Sequence, residues 1–294
     1  MAFRSTRRIL SAVSSRLGTL NVHGPDSNGI VAACTQLLGR HGCGIVKTEQ
    51  WTDRINSRFF QRICFNYDVP DKMACQEEVN QVCESFRLEG RLNWRDRKQK
   101  VGIMVSKYDH CLWELLLRHK AHELDMDIKL VISNHEDLRG VADTFSIPYH
   151  CLPITPENKM EQEAQQKELL KDVDVVVLAR YMQVLSKDFL NHFPDRIINI
   201  HHSFLPAFMG SKPHQRAWDR GVKLIGATAH YATLDLDDGP IIEQDVIQVS
   251  HRDEVKDLLR KGRILERNVL LKALEAHLDD RVIVYRNRCV VFGD

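Results

Sequence analysis
At 294 residues the chain exceeds one ordinary hydrophobic core, so two domains are expected, and 43% hydrophobic with 28% charged residues excludes disorder as its main theme. The 41 basic and 40 acidic side chains leave a formal charge of +1, which supplies no global field for nucleic acid or an anionic membrane. No run approaches the roughly 18 consecutive apolar residues that a membrane-spanning helix needs.

The first segment, MAFRSTRRILSAVSSRL, carries Arg4, Arg7, Arg8 and Arg16 and no acid. Ile9, Val13 and Leu17 recur every four residues, so a helix would place them on one face. Arg- and Ser-rich, acid-poor amphipathic segments are characteristic of organelle transit peptides. Residues 1–16 are therefore read as a transit peptide or a disordered leader, with a mitochondrial location expected from it and a cytoplasmic one otherwise. Eight cysteines (Cys34, Cys43, Cys64, Cys75, Cys83, Cys111, Cys151 and Cys289) show no CxxC spacing, and a chain of this length needs no disulfide scaffold. Reduced, mostly buried thiols are expected.

Residues 17–94 form the first predicted domain. LGTLNVH alternates like a strand, GPDSNG is a turn, and IVAACTQLLGRHG has helical spacing stopped by Gly42 and Gly44. GIVKTEQWTD and FFQRICFNYD read as strands around a turn at Arg54 to Ser57. MACQEEVNQVCESF is helical, with Val79, Val82 and Phe86 on one side. The implied βαββαβ order is that of an α+β, ferredoxin-like fold. RLNWRDRKQK then sets five basic residues against one acid, and a solvated linker is expected at 95–100. No aromatic ladder accompanies it, so it makes no nucleic-acid platform.

Residues 101–294 change to an alternation of strand and helix. VGIMVS, IKLVIS, VDVVVLA and IINI are short, β-branched and almost continuously apolar, like strands buried on both faces. CLWELLLRHKAHEL, EDLRGVADTF and ENKMEQEAQQKELL lie between them with helical spacing. An α/β domain with an open, mostly parallel, Rossmann-like sheet follows. A long helical stretch, DEVKDLLRKGRILERNVLLKALEAHL, and a VIVYRN…CVVF hairpin close the chain. After the first of these strands comes KYDHCL, which has no glycine, so the dinucleotide and P-loop phosphate cradles are excluded. No metal is expected either. There is no HExxH; His201 and His202 are neighbours that a strand would point to opposite faces, and His119 and His122 are read as solvent-facing.

The dense signal is IINIHHSFLPAFMGSKPHQRA followed by GATAHYATLDLDDGPIIEQDV. In an open α/β sheet ligands gather at the carboxyl ends of strands. Asn199 and His201 are two apart and so share one side of a strand end, with Ile198 and Ile200 facing the other way. An Asn amide can donate to a developing oxyanion, and an imidazole can relay a proton. Asp235, Asp237 and Asp238 each offer the acid that would orient them.

These motifs resemble the formyltetrahydrofolate deformylase family, within the superfamily of formyl transferases that use N10-formyltetrahydrofolate; the resemblance runs from about residue 18 to the C-terminus. It implies catalysis by Asn199, His201 and Asp237, the aspartate standing three residues before the Pro of the GP turn. It also implies a folate pocket at Tyr181, Met182, Val184 and Leu185, with Leu234 and Asp235, and further pocket residues at His202, Ser203, Gly210 and His230. The unit before the linker looks like the ACT domain of the deformylases, with Asn28 departing from the proline common there. A small amino-acid effector and a homo-oligomer are implied by that domain. So is a place in one-carbon metabolism and purine biosynthesis. No cofactor is required, since 10-formyltetrahydrofolate is the substrate. Two alternatives are a glycinamide ribonucleotide transformylase and a non-catalytic amino-acid-binding ACT protein. The glycine-free KYDHCL, the His202 that follows the catalytic His, and the ACT-like unit all oppose transfer. The presence of Asn199, His201 and Asp237 together opposes the inert sensor.

Overall fold
The computed structural model describes residues 16–68, 71–207 and 213–293. All but the last residue of the expected leader lie outside the described residues, as does Gly210. The chain divides into two compact units between Arg97 and Lys98.

The first unit runs β1 (Arg16–Pro25), α1 (Ile30–Arg40), β2 (Gly44–Asp53), β3 (Arg58–Tyr67), α2 (Lys72–Phe86) and β4 (Glu89–Asn93). Its sheet has the order β2-β3-β1-β4, and every pair is antiparallel. Leu20 and Val22 of β1 and Ile63 and Phe65 of β3 alternate onto one face. There they meet Ile30, Cys34, Leu37 and Leu38 of α1 and Cys75, Val79 and Cys83 of α2, the helical stripes the sequence pattern predicts. The β2–β3 turn is held by Asp53, whose Oδ1 accepts the N–H groups of Ile55 and Asn56 at 3.0 and 3.1 Å.

The linker expected at 95–100 is shorter than that, because Gln99 and Lys100 already belong to the next strand. Lys100 N–H donates to Asp174 Oδ2 at 2.7 Å, and the Asp174 N–H returns to the Lys100 carbonyl at 2.8 Å. Trp94 stacks edge-on against Tyr67 at 4.8 Å, and the Tyr67 hydroxyl donates to Asp96 at 2.8 Å, so the basic stretch is tied down at its start.

The second unit starts with β5 (Gln99–Val105), α3 (His110–Lys120), β6 (Met126–Ser133), α4 (Arg139–Thr144), β7 (Tyr149–Cys151), α5 (Lys159–Leu169) and β8 (Val175–Leu178). It continues with α6 (Lys187–His192), β9 (Ile197–His201), α7 (Pro213–Arg220), β10 (Leu224–Tyr231), β11 (Ile241–Gln248) and α8 (Val255–Leu278), and ends in the hairpin β12 (Val282–Tyr285) and β13 (Arg288–Val291). The seven-stranded sheet has the order β11-β10-β9-β8-β5-β6-β7. The five strands from β9 to β7 are parallel, and β10 and β11 run antiparallel at one edge. Along β8, Val175 and Val177 face one core and Val176 and Leu178 the other, which is why the strand is apolar throughout. The apolar stripe of α8 (Leu258, Leu265, Val269, Leu270, Ala273 and Leu274) packs into the first of these cores. At roughly 1.5–3 kcal/mol for each buried leucine or valine, that stripe makes α8 the main brace of the sheet face it covers. All eight cysteines are free thiols, five of them buried.

Candidate active site
β5 sits between β6 and β8, so the chain leaves β5 toward one edge of the sheet and returns on the other side at β8. Such a switch point opens a crevice at the strand carboxyl ends. The loop after β8 borders it and is held at three points. Met182 N–H donates to Ser106 Oγ at 3.0 Å, Gln166 Nε2 donates to the Tyr181 hydroxyl at 3.0 Å, and Ser186 N–H donates to Glu163 Oε1 at 3.1 Å. The polar helix α5 buries Glu163 and Gln166 to make two of these contacts. Burial pushes the Tyr181 phenol up to about 12, so it stays neutral.

At the end of β9, Ile198 and Ile200 enter the core while Asn199 and His201 border a cavity of about 670 Å³. His201 Nδ1 lies 3.2 Å from Asp237 Oδ1. Its Nε2 is buried and has no hydrogen-bond partner among the described residues. Asn199 Nδ2 lies 3.1 Å from His230 Nε2, and His230 Nδ1 lies 3.0 Å from the Tyr231 carbonyl oxygen. A carbonyl only accepts, so His230 Nδ1 carries the proton and its Nε2 takes one N–H of the Asn199 amide. Burial lowers the His230 pKa, which keeps that ring neutral and the amide so oriented. The second Asn199 N–H is left for a ligand.

Asp237 adopts a left-handed backbone at φ 57° on the turn between β10 and β11. Asp and Asn tolerate this conformation better than other side chains. Burial pushes the Asp237 carboxyl up, but the His201 hydrogen bond and the neighbouring His201 and His230 rings outweigh it and hold it below the ordinary carboxylate range. Such a carboxylate stabilises the fold above its unfolded-state pKa of about 3.9 and loses that contribution as pH falls through its lower folded value. The stability gap between wild type and Asp237→Asn in urea unfolding is therefore expected to close as pH falls below about 4. A gap that widens in acid contradicts the pairing.

One side of the cavity is apolar. Tyr181, Met182, Val184 and Leu185 from the loop after β8 line it with Leu234 and Leu236 from the β10–β11 turn. Met182 and Leu234 remain 53% and 54% exposed, an apolar rim left open to a ligand. Asp235, expected here, is exposed and does not line the cavity; its carbonyl accepts from Thr233 Oγ1 at 3.2 Å. Leu236 takes the place expected for it. Ser203 is also withdrawn. It is buried, its hydroxyl donates to the Ala207 carbonyl at 2.8 Å, and its own carbonyl accepts from Thr228 Oγ1 at 2.9 Å. Gly210 lies outside the described residues.

The other side is polar, and sequence reasoning missed most of it. Tyr108, His110, Arg180, His214 and Glu266 line it together with His202. Glu266 Oε2 lies 2.8 Å from His110 Nε2 and 3.3 Å from Arg180 Nε, and all three side chains are buried. Burial opposes ionisation of Glu266, but His110 and Arg180 prevail and hold its carboxyl below the usual range. The signal was present in the sequence as a glutamate inside the apolar stripe of α8. His202 departs from the expected alternation as well: β9 ends at His201, and the two rings stand 5.1 Å apart on the same cavity. Polar atoms of His110, Cys111 and Glu266 come within 4.8 Å of one another. Burial drives the Cys111 thiol well above its ordinary pKa, and His110 and Glu266 already engage each other, so this is a hydrogen-bonded His–Glu pair beside a protonated thiol.

The Formyl transferase family profile matches residues 99–274. The formyltetrahydrofolate deformylase of Synechocystis is 49% identical over 282 residues, covering 94% of this chain and 98% of that protein. The crystal structure of a formyltetrahydrofolate deformylase from Pseudomonas syringae pv. tomato superposes with a TM-score of 0.92 at 43% identity, over 97% of both chains. A glycinamide ribonucleotide transformylase structure from Symbiobacterium toebii reaches a TM-score of 0.64 at 28% identity and covers 68% of this chain and 97% of its own. The transformylase thus matches only part of the chain, whereas the deformylases match nearly all of it. With a strand-end Asn, His and loop Asp around one cavity, the chain belongs to the formyl transferase family and, within it, to the formyltetrahydrofolate deformylases.

Proposed function
We propose that the protein hydrolyses 10-formyltetrahydrofolate to formate and tetrahydrofolate in the cavity at the ends of β8 and β9. The observation that carries this reading is the His201 ring, with Nδ1 on Asp237 and Nε2 without a partner among the described residues, lining the same cavity as Asn199. The apolar side of the cavity suits a flat pterin, and its loop is braced before any ligand arrives. Water adds to the formyl carbon, and the oxyanion takes hydrogen bonds from Asn199 Nδ2 and protonated His201 Nε2. Asp237 accepts from His201 Nδ1–H and so holds the ring with Nε2 toward the oxyanion. Proton delivery to N10 lets the C–N10 bond break. The oxidation state of the carbon does not change, so the reaction calls for no redox cofactor.

The test is to supply the purified protein with 10-formyltetrahydrofolate, with and without glycinamide ribonucleotide. Formate release independent of the acceptor is expected. Strict dependence on the acceptor would assign a transferase.

The reading extends to the first unit as a ferredoxin-like ACT domain that binds a small amino acid and joins copies of the chain. Its βαββαβ order and its edge strand β2, with Ile45, Val46 and Trp51 exposed, support this. Amino-acid titration calorimetry and sedimentation velocity test the two roles; a monomer that binds no amino acid removes both. The basic leader is proposed to direct the protein to mitochondria, which a fusion lacking residues 1–16 would fail to reach.

A further inference from the structure
Beside His201 the polar half of the cavity is organised as a row of imidazoles. The His202 ring is 5.1 Å from His201, and His214 lies beyond it, 6.1 Å away and nearly parallel at 14°. His214 is seated against α8 at Gly262, where a methyl group would stand 2.3 Å from its Nε2. Glycine in a helix interior is unfavourable by about 1 kcal/mol relative to alanine, and here the missing side chain is the space that the His214 ring occupies. One turn along α8, Glu266 pairs with Arg180 and engages His110. His202 is half-buried, and no group among the described residues hydrogen-bonds to it. Burial, and then the Arg180 charge, pull its pKa down to about 3, so it is a neutral ring with one lone pair and one N–H.

We propose that His202 holds the attacking water, and that the imidazole row behind it makes water rather than a larger amine the nucleophile that reaches the formyl carbon. This rests on the deformylase reading above. The water donates one O–H to the His202 lone pair and turns its own lone pair toward the carbon. The water oxygen forms the new C–O bond, the C–N10 bond breaks, N10 gains one proton, and the other is released as formic acid ionises. His214 and Gly262 act as positioning residues for His202.

The experiment compares wild type, His202→Ala, His202→Gln and Gly262→Ala with 10-formyltetrahydrofolate in the presence of hydroxylamine. Hydroxylamine takes the formyl group as formohydroxamate, so the ratio of formohydroxamate to formate reports the choice of nucleophile. His202→Ala is expected to lower kcat for formate release at least about tenfold with KM little changed, and to raise the ratio severalfold. Gly262→Ala should move both in the same direction without altering a group that touches substrate. His202→Gln, whose amide oxygen can accept from water, should recover part of the rate. Folded variants, by circular dichroism, with wild-type kcat and ratio overturn the inference and leave the deformylase reading standing. No formate from the wild type removes the reading itself, and the inference with it.

Discussion
Alanine at His201 or at Asn199 is expected to lower the turnover of 10-formyltetrahydrofolate at least about a hundredfold while the protein stays folded. Both side chains end β9 on the cavity side, so removing them opens no hole in the core that Ile198 and Ile200 help to fill. For Asn199 the loss is one preoriented N–H at the oxyanion, a contribution of about 2.7–4 kcal/mol where such donors have been removed from other enzymes. For His201 the loss is both the second donor and the group that Asp237 orients. The two act on one oxyanion, so the double variant should be little worse than the poorer single one. The measurement is formate release under saturating substrate, with thermal unfolding alongside. Near-normal kcat in both single variants would remove these residues from the chemistry.

The second large effect is expected at Gly239, which touches no ligand. A methyl group there would stand 1.8 Å from the Tyr231 carbonyl oxygen, a distance no backbone tolerates, and 3.2 Å from His230 Nδ1. The Tyr231 carbonyl is also the acceptor that sets the His230 tautomer. Gly239→Ala must therefore push the β10–β11 turn outward, taking Asp237 from His201 and disturbing the partner of the Asn199 amide. Activity is expected to fall about as far as in the His201 variant, together with a lowered Tm. Wild-type activity in Gly239→Ala would mean that the turn can move without carrying Asp237 with it.

Both units were legible in the sequence because strands and helices repeat their buried side chains at different periods. The nearly continuous Val and Ile of β5, β6 and β8 could only be strands covered on both faces, and the two stripes of α1 and α2 could only meet one face of a sheet. Asn199 and His201 were legible for the same reason, since a polar pair at period two on an otherwise apolar strand must face a cavity. Asp237 was singled out from Asp235 and Asp238 only by the resemblance to the family motif. Ser203 has the right chemistry and the right neighbourhood, but its hydroxyl is taken up by the Ala207 carbonyl, and Asp235 is exposed and does not line the cavity; local hydrogen bonding of this kind is not legible from residue type.

The polar wall was decided by the tertiary structure alone. His110 on α3, Arg180 after β8, His214 on α7 and Glu266 on α8 lie far apart along the chain, and no local period links them. Each looks like a surface residue until the sheet order places α8 across β9, β10 and β11. A chain dictates local conformation through the periodicity of what it must bury. Which distant charges share a cavity follows only from how the buried faces close, because burial, not sequence spacing, forces buried ions to find partners.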